Sequence, residues 1–392
     1  MNMDYMFLHV FILWLNALAT TVLVGAVVFQ SAVLQGALAV WGPASMEAET
    51  VRAEGRRHLR SWIAVCIILL VIVSAIDLIL RAQMMSRRPL SQVITILPLV
   101  LVKTHFGKVW FDKMAVLTLF ALLWLFLANK PRWGVTLFLW IAAAGLCFTA
   151  SLSGHAADSG DWSFPVLVDW VHFVMVSIWV GGLFPLRLIL PKLVRPLEKQ
   201  FRLKLEADVL RRFSTLAVVS VLLVVLSGVF NAWLRLHAFS NLFSTAYGIT
   251  LLFKLMLVLP LLGLGAVNRV YTRPALLRLA GQPLRESGVQ RFAHRVIVYL
   301  GGGWQASETE DRRLERGFLS EQIAMMHLKL LVAVQCLVAV LVLVVAVMLT
   351  QTSPPPRPES VSSATVSDSM AGSMNHSMDE PSMNEGHVRQ KM

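Results

Sequence analysis

Eight apolar runs dominate the chain, at roughly 5–30, 60–80, 109–128, 133–152, 164–186, 214–236, 247–267 and 326–350. One bilayer crossing takes about 20 apolar residues in a helix, and the backbone of each crossing must satisfy its own polar groups. Each run is long enough. The pattern predicts an all-α, polytopic transmembrane helix bundle with about eight spans. Composition agrees. Of the 392 residues, 56% are hydrophobic and only 15% charged, whereas a soluble domain carries about 25% charged residues. Mean hydropathy is +0.66. These figures leave little room for a soluble enzyme and make the lipid bilayer the first partner.

Charge then sets the orientation. The net charge of +12 would suggest nucleic acid in a soluble protein; here it fits loops that obey the positive-inside rule, and no nucleic acid is expected. With both termini outside, the inner loops carry twenty-three Lys and Arg residues against nine outside. Arg81, Arg87 and Arg88 are the misfits, on the outer side. The start of the chain, Met1 to Phe7, has no basic cluster, and the run after it is too long for a cleaved signal. It is read as a retained first span. A shorter run, Val93 to Val102, contains Pro98 and is read as interfacial or re-entrant. After Thr352 the chain turns rich in Ser, Met, Asn and acidic residues, and Ser353-Pro354-Pro355-Pro356 ends the last helix. Residues 1–350 are thus a membrane domain, and 351–392 a tail predicted to be disordered.

Several chemistries drop out. Cys66, Cys147 and Cys336 stand alone in apolar runs, without a CxxC pair for thiolate transport or a disulfide framework. Gly301-Gly302-Gly303 lacks the lysine and flanking pattern of a phosphate loop, so ATP bound to this chain drives nothing.

Imidazole and thioether remain. His9, His105, His155, His172, His237, His376 and His387 fall on the outer side, and most methionines with them. That pair of donors suits copper, and thioether selects Cu(I). In the tail, Met370, Met374, Met378 and Met383 recur every four or five residues, with His376 and His387 among them. A loose segment with that spacing can wrap a Cu(I) ion, and Met resists an oxidising compartment better than Cys. In the fifth span His172, Met175 and Trp179 share one helical face, and an ionisable group inside a span marks a functional site. Met6, His9 and Asn16 repeat the pattern weakly in the first span. At His172, with Met175, a metal or ligand contact is preferred to a hydrogen-bonded structural histidine; at His9, with Met6, both readings stand. His155 sits near the membrane surface in a loop with Asp158 and Asp161 and no Lys or Arg, a vestibule favourable to a cation. His172 lies roughly 12 Å deeper at helical rise, so the two read as a relay. Asp77, Asp112, Lys113, Asp169, Asn231 and Lys254 are further intramembrane polar groups. Ion pairs that hold helices together are expected of them.

Ser153-Gly154-His155-Ala156-Ala157 and Asp169-Trp170-Val171-His172, running on to Trp179-Val180-Gly181-Gly182, are short motifs whose order is informative. Arg212-Phe213-Ser214 opens the sixth span, and Ser227-Gly228-Val229-Phe230-Asn231 nearly closes it. Tyr247-Gly248, Lys254 and Asn268-Arg269 mark the seventh. Leu349-Thr350 and Pro354-Pro355 close the eighth. Together they resemble the copper resistance protein D family of bacterial inner-membrane proteins, over most of residues 1–356 and best over 150–270. The resemblance implies copper ion handling at or across the inner membrane. It implies a periplasmic CopC-like copper-binding partner, periplasmic termini, and His155 and His172 as copper contacts. The tail lies outside the shared region and rests on its own chemistry. The expected function is non-enzymatic copper transport, with import favoured because no inner loop offers a CxxC entry. A membrane b-type haem oxidoreductase and a non-transporting scaffold that hands on copper are the alternatives.

Overall fold

The computed structural model describes residues 3–41, 45–86, 90–127, 133–281 and 321–355. Met370, Met374, His376, Met378, Met383 and His387 lie outside the described residues, as do Gly301 to Gly303. Among the described residues there is no strand. Helix α1 (Met3–Val28) runs on through a π-helical segment (Phe29–Leu34), the short α2 (Gln35–Leu38) and a 3-10 turn (Ala39–Trp41). Then come α3 (Met46–Ser86), α4 (Leu90–Lys103), α5 (His105–Leu127), α6 (Trp133–Leu152) and a 3-10 turn (His155–Ser159). The second half has α7 (Phe164–Leu188), α8 (Leu190–Val194), α9 (Lys199–Leu236), α10 (Asn241–Ser244) and α11 (Ala246–Val267). A π segment (Asn268–Thr272) and α12 (Arg273–Leu279) follow; the last helix, α13, spans Glu321–Gln351. Eight of these helical stretches are long and apolar enough to cross a membrane, one for each apolar run.

Two helices outrun their apolar stretches. The 41 residues of α3 and the 38 of α9 both begin in charged sequence. Glu49 stitches the start of α3 to Arg52 and Arg56, at 3.3 Å each, and Asp208 pairs with Arg211 at 2.8 Å in α9. Spacings of three residues place such partners on one helical face, so the helix continues beyond the membrane. The Pro98 segment is α4, a 14-residue helix. It buries Val93 and Val100 against Leu78 and Ala82 of α3.

The centre of the bundle is the crossing of α1 and α7. A Cβ on Gly181 would fall on the backbone carbonyl of Thr21, and one on Gly25 would fall on the backbone of Gly181. Only glycine lets the two backbones touch, the small-residue contact by which membrane helices pack. Around this pair, α3 to α6 gather on one side. On the other side α9 packs on α7, and α11 on α13. Both described chain ends, at α1 and after α13, lie at the same end of the bundle, since the start of α1 and the end of α13 both meet the end of α3. That end is called the upper end below.

Candidate functional site

The upper half holds two sets of polar side chains that no lipid-facing surface could carry at low cost. In the first, Asp77 of α3 is buried, and two side chains bear on one of its oxygens. The Nε2 of His9 lies 3.2 Å from Oδ1, and Arg81 Nε donates to the same atom at 3.1 Å. Arg81 is one turn on from Asp77, and its guanidinium sits 4.6 Å above the ring centre of Phe106. Lys113 of α5 donates to Asn16 Oδ1 of α1 at 2.9 Å and stands within electrostatic reach of Asp77. Trp110, one turn before Lys113, donates its indole N–H to the Ser74 carbonyl at 2.9 Å, which fixes α5 against α3.

These groups border a cavity of about 370 Å³ between α1, α3, α5, α6, α7 and α13. Asn16, Asp77, Arg81 and Lys113 line it, and Ser153, Gly154 and Asp158 bring the turn after α6 to its wall. Asp158 and Gln351 are exposed at its rim. The space is polar and roomy enough for water.

The second set lies on the other side of α7. Asp169 accepts from Asn231 Nδ2 at 3.3 Å and pairs with Arg235 at 3.5 Å, both from α9. Lys254 of α11 stands within electrostatic reach of Asp169 and Arg235. His172 places Nδ1 3.0 Å from Ser227 Oγ. That hydroxyl already gives its proton to the carbonyl of Leu223 or Val224. A hydroxyl has one proton to give, so the imidazole is the donor at Nδ1, and in the neutral ring Nε2 keeps its lone pair. Gly228 makes room for the ring: a Cβ there would come within 3.3 Å of His172 Cε1.

The chain matches two family profiles: "Copper resistance protein D-like, N-terminal domain" over residues 3–164, and "Copper resistance protein D" over residues 207–303. The chain belongs to the copper resistance protein D family. Among its curated relatives is the "Copper transport protein CutJ" of Bacillus subtilis, 33% identical over 177 residues, which is 44% of this chain. The matched stretch is 32% of that relative, so the chain spans about a third of its length. The "Copper resistance protein D" of Pseudomonas syringae pv. tomato is 25% identical over 273 residues, covering 67% of this chain and 86% of that protein. No solved structure matches.

In this family member the expected residues fall into separate groups. His9, Asp77 and Lys113 come together at the chamber; Asp169, His172, Asn231 and Lys254 come together beside α9. The buried His9 and the half-buried His172 are therefore engaged with different partners on different helices. Met6 is 44% exposed while His9 is buried. Met175 is half-buried one turn after His172. Trp179 packs in the apolar core with Leu261 and Ala339. Asp112 is exposed and has no ion pair among the described residues. The His155 backbone opens the turn beside the chamber. Among the described residues no cluster of three or more His, Cys, Asp or Glu side chains stands at metal-binding distance. Arg81, Arg235 and Ser227 escape the sequence reading as site residues. Arg81 does stand out there, as a cation on the wrong side of the membrane, and the structure supplies the reason: it is bound to Asp77, so its charge is matched within the bundle.

Proposed function

We propose that the protein moves copper ions across a bacterial inner membrane, and that His172 is a ligand on the path. Copper is the cargo. One observation carries this reading: the His172–Ser227 hydrogen bond, which leaves Nε2 as an unprotonated, oriented donor. Metal-binding histidines are held in this way by a partner on the other ring nitrogen. Met175 follows one turn later, so an imidazole and a thioether stand on one helical strip, a pair that suits a soft Cu(I) ion. Lys254 and Arg235 nearby hold the affinity down, which a path requires, since an ion must leave as readily as it enters. Family membership supports copper as the ion. The vestibule at His155 and Asp158 then leads in from the upper end, taken as periplasmic, and a CopC-like protein is the donor that fits there. Import is the favoured direction, and the Met/His tail captures copper when it is scarce.

Proteoliposomes loaded with a Cu(I) chelating dye test the reading. His172→Ala should abolish copper entry while the protein still inserts. Unchanged entry in that variant defeats the assignment. Truncation after Pro356 should slow entry at low copper alone; loss at every concentration would give the tail a structural role instead.

A further inference from the structure

The two halves of the chain repeat each other. Thr104-His105-Phe106-Gly107 opens α5, and Thr245-Ala246-Tyr247-Gly248 opens α11. In both, the threonine hydroxyl donates at 2.6 Å to the carbonyl four residues back, Val100 or Asn241. In both it accepts at 3.0 Å from the glycine N–H three residues on. In both, a Cβ on the glycine would strike the backbone of the preceding short helix. A lysine follows each glycine at the same spacing, Lys113 and Lys254. The helix before carries Asp77 and Arg81 one turn apart in α3, and Asn231 and Arg235 one turn apart in α9. The long helices α3 and α9 each follow a short one, α2 or α8, and each first helix, α1 or α7, carries a histidine. Those two first helices meet at Gly25 and Gly181. The chain is two copies of a four-span unit, in the parallel arrangement that membrane transporters use.

The copies have diverged in what they hold. In the first, the carboxylate is on the second helix (Asp77) and the amide on the first (Asn16); in the second, Asp169 and Asn231 are reversed. His9 sits on a carboxylate, whereas His172 sits on a hydroxyl. Among the described residues no methionine or cysteine lines the chamber, and its polar lining is oxygen and nitrogen alone. We propose that His9 and Asp77 form a proton-binding site linked to copper at His172. This rests on the His172 reading. Phe173 of α7 lines the chamber and His172 stands across the same helix, so one helix width separates an arriving cation from the chamber, and charges repel across a low-dielectric interior. A proton held between His9 and Asp77 then leaves through the chamber to the upper end. One positive charge arrives as one departs, and no redox change is involved. The charged groups facing the pair are Arg81 from α3, Lys113 from α5 and Asp158 from the turn after α6; α6, α7 and α13 bring only neutral side chains to the chamber.

The test titrates Cu(I) into purified full-length protein in weakly buffered detergent with a pH dye, while a chromogenic Cu(I) chelator reads binding. Wild type should release a proton as copper binds. Asp77→Asn, which keeps the shape, and His9→Gln should each lose that release and still bind copper. Undiminished release in both overturns the proton site. Loss of copper binding together with release overturns it too, since the chamber then belongs to the copper site. Wild type that binds no copper sinks the His172 reading instead. A proton titration of wild type against both variants still reads the chamber, and coincident curves refute it.

Discussion

The two polar sets are built from the same residue types, one each of His, Asp, Asn, Arg and Lys, yet they are held differently. In the first, charge meets charge directly. Asp77 is buried, and both His9 and Arg81 bear on a single oxygen. In the second, neutral groups intervene: Asn231 steadies Asp169, Ser227 steadies His172, and the Arg235 contact is looser at 3.5 Å. A directly paired buried carboxylate holds its neighbours by charge, and removing a partner leaves an uncompensated charge. A histidine held by a hydroxyl keeps a free nitrogen and no fixed charge. The difference teaches that function within a membrane depends on which polar partner each group is given as well as on which groups are present.

The contrast can be broken most directly at the carboxylates. Asp77→Ala should cost about 3–5 kcal/mol, the loss typical of one partner in a buried pair. Asp169→Ala, with its amide and looser Arg contact, should cost about 1–2 kcal/mol. Thermal unfolding in detergent compares them, and equal losses would erase the distinction. Next, Asn16→Asp combined with Asp77→Asn gives the first set the second's order of carboxylate and amide, with the new carboxylate beside Lys113. The double variant should be more stable than the two single changes sum to, by about 1–3 kcal/mol of coupling. An additive result would show that the sets are not interchangeable in plan. Ser227→Ala should weaken Cu(I) binding by about tenfold, as loss of a histidine's outer partner does, at a stability cost of about 1 kcal/mol. Cu(I) competition titration and unfolding midpoints read the two effects separately. The smallest effect is the most diagnostic of the repeat. Thr104→Val and Thr245→Val each remove one cap and should cost about 1 kcal/mol apiece; clearly unequal costs would argue that the two helix starts only look alike.

Much of the architecture is legible in the sequence because the bilayer imposes a length and an apolar content on each crossing. The eight runs and the separate short Pro98 segment follow from that rule. The charged first turns of α3 and α9 do not, since their residues carry no apolar signal and their helix is held by pairs such as Glu49 with Arg52. Which polar groups pair is hidden for another reason. His9 and Asp77 are 68 residues apart and Lys113 and Asn16 are 97 apart, so only the folded chain brings them together. The repeat is masked in the same way. With α4 between them, Thr104 follows Arg81 by 23 positions, where Thr245 follows Arg235 by only ten, so the two copies slip out of register unless aligned on the threonine, glycine and lysine.

The glycine contact between α1 and α7 joins the halves at a point where backbone meets backbone with no side chain between. Helices that interlock by ridges and grooves settle at preferred angles; two bare backbones have fewer such stops. Such a joint keeps the repeats together while leaving their relative tilt to be set by the polar residues above it, so that whatever occupies those sets also bears on the angle between the halves.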